Sequence, residues 1–143
     1  MTDSSDRGEV VRELSLEECW TRLDAGGLAR LAIAVADVPD IFPINFVSAS
    51  GGLLFRTAPG SKLLGLSANP RVALEVDGHN DESAFSVVAK GHAERVESQQ
   101  EIDRLETLGL VPWIPTLKYR WVRVVPDEIT GRSFLRGPEP ERY

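Results

Sequence analysis

Leu53-Leu54-Phe55-Arg56-Thr57-Ala58-Pro59-Gly60-Ser61-Lys62 is an apolar strand that runs straight into a positively charged turn. Leu53, Leu54 and Phe55 have strand character, and Pro59-Gly60 punctuates it. Leu63, Leu64 and Leu66 follow at a spacing that predicts a turn or two of helix, closed by Asn69-Pro70. A helix N-terminus presents unpaired N–H groups and a partial positive charge, and so attracts anions. Here that backbone comes with the Thr57 and Ser61 hydroxyls and two fixed cations, Arg56 and Lys62. No Asp or Glu lies between residues 53 and 74, although the chain as a whole carries a net charge of −6. The stretch reads as a phosphate site, against the plainer alternative of a solvated turn.

The rest of the chain limits what that phosphate belongs to. A length of 143 residues predicts one domain, large enough for a core without covalent staples. One cysteine, Cys19, excludes an internal disulfide framework and suits a reducing compartment. The opening Met1-Thr2-Asp3-Ser4-Ser5-Asp6 resembles neither a signal nor a transit peptide, and the longest apolar run, Leu31 to Ala36, is far too short for a membrane span. With pI near 4.9 and scattered Lys and Arg, no nucleic-acid footprint is expected. These features predict a cytoplasmic protein with neither a membrane nor a nucleic-acid partner.

Along the chain the pattern is mainly β, with flanking helices. Residues 1–13 are charged and aperiodic and read as a mobile arm, residues 14–136 as one domain, and residues 137–143 as a polar tail. Ser15 with Glu18 forms a capping box, and Leu16, Cys19, Trp20 and Leu23 follow at helical spacing until Gly26-Gly27. Strands are predicted over Leu28–Val35, Ile41–Val47, the 53–55 segment after a Ser50-Gly51-Gly52 turn, Arg71–Val76 and Phe85–Val96. Asp77-Gly78 reads as a break. Ser98 with Glu101 predicts a second capping box, opening a helix whose Ile102, Leu105 and Leu108 face the core. After Pro112 and Pro115, Tyr119–Val125 and Ile129–Leu135 read as two further strands. So many strands joined by short turns predict an antiparallel barrel or sandwich. No G-x-G-x-x-G or Walker sequence is present.

Taken together, the chain from Ser15 to Thr130-Gly131-Arg132 resembles the pyridoxamine 5'-phosphate oxidase-like FMN-binding split barrels. Pro39-Asp40-Ile41-Phe42-Pro43-Ile44-Asn45 is similar to the strand that lies along the flavin ring. Phe55-Arg56-Thr57 to Gly60-Ser61-Lys62 is similar to the phosphate segment, and Asn69-Pro70-Arg71-Val72 to the strand start that follows it. Phe85-Ser86-Val87 and Gly91-His92-Ala93-Glu94-Arg95-Val96 resemble the long strand near the pyrimidine side of the ring.

The resemblance implies an antiparallel split β-barrel, a homodimer with FMN at the subunit interface, and a small-molecule redox substrate. Arg56 and Lys62 would pair with the phosphate, helped by Thr57 and Ser61, since charge-assisted bonds suit a dianion. Pro43, Ile44 and Asn45 would meet the isoalloxazine edge. Ser86 stands where the family often has an amide, and would reach the flavin through a bridging water. Trp121 and Arg132 lie in the segment the family uses at its interface, and would reach the partner's flavin. The apolar strand around Trp121 exceeds what a small barrel needs, which also predicts two-fold pairing. Two alternatives share these residues: a deazaflavin in place of FMN, or a flavin-binding protein that stores the cofactor without turnover.

Departures from the family bear on substrate. Ile41 and Phe46 stand where true pyridoxamine phosphate oxidases have basic strand residues, and Arg136 to Tyr143 lacks their C-terminal Arg/His segment. The chain resembles more closely a smaller, actinobacterial-looking branch whose relatives include nitroimidazole reductases and deazaflavin-binding proteins. His79 and His92 have no Cys or second His nearby and predict no metal site. Cys19, on the apolar helix face, reads as packing; Glu75 and Asp77 read as residues flanking a turn, and Trp20 and Trp113 as core or interface. The serines lack a nucleophile-elbow context.

Overall fold

The computed structural model describes residues 10–49, 51–58, 70–110 and 120–137. Its first helix, α1 (Leu16–Asp24), begins as its local chemistry dictates. Ser15 Oγ accepts from the Glu18 N–H at 3.1 Å, and Glu18 Oε1 accepts from the Ser15 N–H at 3.0 Å, completing the capping box. The Arg12 guanidinium grips both oxygens of the same carboxylate, at 3.2 and 3.0 Å. That pairing, with the Ser15 N–H, holds the Glu18 carboxyl down at about 2. At the other end Gly26 and Gly27 take φ of +63° and +105°, the left-handed backbone that stops a helix cheaply only at glycine. Cys19 and Leu23 face the core, where burial pushes the thiol pKa up and leaves it as packing.

Seven strands follow one another antiparallel: β1 (Val11–Glu13), β2 (Gly27–Val35), β3 (Val38–Ala49), β4 (Gly52–Thr57), β5 (Arg71–His79), β6 (Ser83–Arg95) and β7 (Arg120–Leu135). A second helix, α2 (Gln99–Glu106), lies between β6 and β7. The order is β1-β7-β4-β3-β2-β5-β6, and β7 pairs with β6 as well as β4, so six strands close into the expected antiparallel ring. Alternation sends Ala29, Leu31 and Ile33 of β2 inward, with Phe46, Phe55 and Leu74 from neighbouring strands, all buried. Leu28 and Arg30 point outward. A smaller cluster of Leu54, Val96, Leu105 and Trp121 forms outside the ring wall, beneath α2.

Five expectations change. The last residues of the supposed arm, Val11–Glu13, are a strand paired to the end of β7. β5 runs through Asp77-Gly78 to His79, because Gly78 is where the Phe85 ring crosses the strand: a Cβ there would lie 2.7 Å from Phe85 Cε1. The two strands expected after residue 119 are one, β7, with Pro126 absorbed at a register slip opposite Gly91. Leu108 is exposed beyond the end of α2, and only Leu105 of the three expected core positions is fully buried. Ser98 does cap α2, but the Glu101 side chain turns to Arg123.

One turn carried no sequence signal. β2 and β3 are joined by Ala36 and Asp37, with φ of 49° and 64°, between the paired Val35 and Val38. That is a two-residue mirror-image turn made without glycine or asparagine. The predicted helix over Leu63–Leu66, and with it Ser61, Lys62, Pro112, Trp113 and Pro115, lies outside the described residues. Among the described residues no helix is long and apolar enough to cross a membrane, and no three His, Cys, Asp or Glu side chains gather as metal ligands.

Candidate functional site

The candidate residues reach the outer surface of the ring through strand alternation. On β3, Pro43 and Asn45 point outward while Ile44 is buried, so Ile44 can offer a ligand only its backbone. Phe46 pairs with Phe55, which sets Arg56 one step further along β4 beside Asn45 on the same outer face. Alternation turns Thr57 to the opposite face of β4. Thus Pro43, Asn45 and Arg56 lie in one lane; Ser61 and Lys62 lie outside the described residues.

Arg56 is firmly held. Its side chain is only 10% exposed. It pairs in register with Trp121 of β7, and its guanidinium lies 4.9 Å from the centroid of the Trp121 ring. Arg56 Nη2 donates to Glu106 Oε2 at 2.7 Å, while Trp121 Nε1 donates to Glu106 Oε1 at 3.0 Å. Both oxygens of Glu106 are therefore engaged. The stretch from 53 to 74 lacks an acid of its own, but α2 delivers one from 50 residues away.

Trp121 is 1% exposed and closes the small cluster under α2. The apolar surplus that suggested two-fold pairing is thus covered within the chain, and the indole serves as a floor for Arg56. Arg123, two residues on, binds α2 and β6 together through Glu101 and Glu94.

Ser86 and Arg132 form a second group on the same outer surface, directly paired across β6 and β7. Ser86 is half-buried and Arg132 exposed. Between the two groups lies a polar network that the sequence reading missed. Arg30, paired with Pro43 on one side and Glu75 on the other, donates to Asp77 at 2.7 Å and to Glu75 at 3.3 Å. Ser86 Oγ donates to the second Glu75 oxygen at 3.1 Å. Burial, and then the neighbouring Asp77, push the Glu75 carboxyl above the usual range despite those donors. Glu75 and Asp77 are therefore mid-strand residues of one face rather than flanks of a turn. A groove of about 420 Å³ opens there, bounded by Glu75, Asp77, Phe85, Ser86, Phe134 and Arg136.

Neither Glu106 nor the Arg30 network carried a local signal, since each depends on which strands and helices come to lie side by side. The surface as a whole offers an outward amide, a braced guanidinium, a carboxyl network and apolar patches at Leu28 and Ile41. Such a mixture suits a flat, partly polar ligand with an anionic tail.

Residues 15–133 match the family model of pyridoxamine 5'-phosphate oxidase. An uncharacterised Mycobacterium tuberculosis protein is 46% identical over 90 residues, which is 63% of this chain and 82% of that one. A Corynebacterium glutamicum structure, provisionally named pyridoxamine 5'-phosphate oxidase, shares 44% identity over 88% of this chain and 99% of its own, with a TM-score of 0.81. The FAD binding protein from Mycobacterium smegmatis shares 39% identity over 87% of this chain and 98% of its own, with a TM-score of 0.74.

Proposed function

Because the chain belongs to the pyridoxamine 5'-phosphate oxidase family, we propose that it is a flavin-binding oxidoreductase acting on a small, uncharged redox partner. The observation that carries this reading is the lane of Pro43, Asn45 and Arg56 on one outward face, with apolar Leu28 and Ile41 exposed on the same face. The flavin carried by the M. smegmatis relative supports the same choice of cofactor. The cofactor, FMN or one of its larger or deaza relatives, would supply the two-electron chemistry, and the protein its orientation and shielding.

Each residue then has a physical task. Arg56 and Lys62 hold the phosphate through charge-assisted bonds, with Ser61 as a hydroxyl partner, while Thr57, expected to join them, points to the other face of β4. Pro43 and the Ile44 backbone border the ring edge, and the Asn45 amide reads its donors and acceptors. Ser86, already bonded to Glu75, and exposed Arg132 address the far end of the ring or a substrate beside it. Leu28 and Ile41, 49% and 65% exposed on this same face, favour a second copy of the chain closing over the flavin.

The test is the absorption spectrum of the purified protein, followed by chromatography of the released cofactor. A flavin spectrum that bleaches on chemical reduction is expected, with sedimentation at roughly twice 15.7 kDa. A protein that binds neither FMN, FAD nor a deazaflavin overturns the proposal.

A further inference from the structure

We infer that Glu106 is a specificity-determining residue, setting its carboxylate against Arg56 so that the site favours a flavin whose phosphate there is a diester over one ending in a monoester. The inference rests on the reading that Arg56 faces the flavin phosphate.

A guanidinium that already carries a carboxylate offers an incoming anion much less net charge. Arg56 Nη2 and Glu106 Oε2 are 2.7 Å apart, so the two charges act on a neighbouring phosphate almost as a dipole. Glu106 cannot easily step aside. Its other oxygen takes the indole N–H of buried Trp121 at 3.0 Å. It is the last residue of α2, and α2 is fixed to the ring by buried Leu105 and by the pair of Glu101 with Arg123, itself braced by Glu94 of β6.

Repulsion from a fixed carboxylate grows with the charge of the ligand. A terminal phosphate monoester carries about −1.5 to −2 at neutral pH. A phosphodiester, or each phosphate of a diphosphate bridge, carries a single charge. The cost of Glu106 therefore falls most heavily on FMN and less on FAD or a deazaflavin with a phosphodiester tail. The Glu106 side chain is 44% exposed, so solvent weakens the effect without abolishing it. With Glu106 neutral, Arg56 would present its full charge and the monoester would gain most.

Titration of flavin-free protein with FMN, FAD and riboflavin tests this in the wild type, Glu106→Gln and Glu106→Asp. Wild-type protein should bind FAD more tightly than FMN. Glu106→Gln should improve FMN relative to FAD by about three- to tenfold, the size of one screened charge interaction across a guanidinium. Riboflavin, with no phosphate, should be indifferent, and Glu106→Asp, which keeps the charge, should retain the wild-type preference. Tighter FMN than FAD binding in the wild type overturns the inference without any variant. An FMN-to-FAD ratio unchanged in Glu106→Gln overturns it too, and leaves the flavin reading standing. Failure of all three flavins to bind the wild type removes that reading and this inference with it.

Discussion

A β-carbon on Gly91 would overlap the carbonyl oxygen of Val125, because β6 and β7 press together at the register slip between them. The obstacle is backbone on both sides, so no side chain can rotate away. Gly91→Ala should destabilise the protein by about 3 kcal/mol, at the upper end for an overpacked site. Denaturant unfolding measures this, and a midpoint equal to wild type would mean that the seam is looser than described.

The Ala36–Asp37 turn makes the opposite prediction. Both residues sit at positive φ, which costs Ala36 most, because Asp tolerates the left-handed region better than Ala, and Asn and Gly better still. Replacing the pair by Asn-Gly should stabilise the protein by about 1 kcal/mol after allowing for the added freedom of the unfolded glycine. A lower unfolding midpoint would contradict the mirror-image turn.

Glu18 links stability to pH. Its carboxyl is held at about 2, below the unfolded value of 4.5, by Arg12 and the Ser15 N–H. The stabilisation is therefore complete above pH 4.5 and is lost as pH falls toward 2. Glu18→Gln should cost about 0.5–1 kcal/mol at neutral pH, the worth of a cap and an exposed ion pair. The two melting curves should converge in acid; a gap that stays constant with pH would rule this linkage out.

Lys62→Ala and Arg56→Ala should each weaken flavin binding at least tenfold, since a hydrogen bond to a charged group contributes about 1.5–3 kcal/mol. Arg56→Ala should be the worse of the two, because it leaves Glu106 facing the phosphate with no counter-charge. Unchanged affinity in both variants would remove the phosphate site.

Vitamin B6 phosphates should be poor substrates. Phe46, at a position where the true oxidases resemble one another in basic residues, is 1% exposed and faces the core, so it cannot grip a substrate phosphate. An unpaired phosphate in a partly dry pocket would lose its bonds to water. Flavin-loaded protein incubated with pyridoxine phosphate and oxygen should form negligible pyridoxal phosphate, while quinones or nitroaromatics accept electrons once a reductant is supplied. Efficient pyridoxal phosphate formation would point to Arg132 as the missing clamp.

What the sequence disclosed was what neighbouring residues decide between them. The Ser15–Glu18 box, the Gly26-Gly27 stop and the alternation of β2 follow from chemistry within a few positions. Asp77-Gly78 misled because a dipeptide common in turns is needed here for clearance under Phe85, which only the β5–β6 register reveals. The two strands expected after residue 119 are one because a bulge accepts Pro126, which a regular ladder would reject. The lane of Pro43, Asn45 and Arg56 was legible as motif. Its neutralising partner was not, because Glu106 arrives through the docking of a helix 50 residues downstream.

β7 pairs with β4, β6 and β1, and it is the last strand among the described residues. During synthesis, then, β2 to β6 emerge first as an open sheet with two raw edges. Both edges stay exposed until residues 120–135 arrive and seal the ring along its two seams. Closure joins partners far apart in sequence, a topology that folds slowly and late. In the interval the unsealed edges can recruit any other extended segment. A chain halted before Arg120 would keep both edges open, so delivery of β7 is the step that removes the sheet's exposed edges.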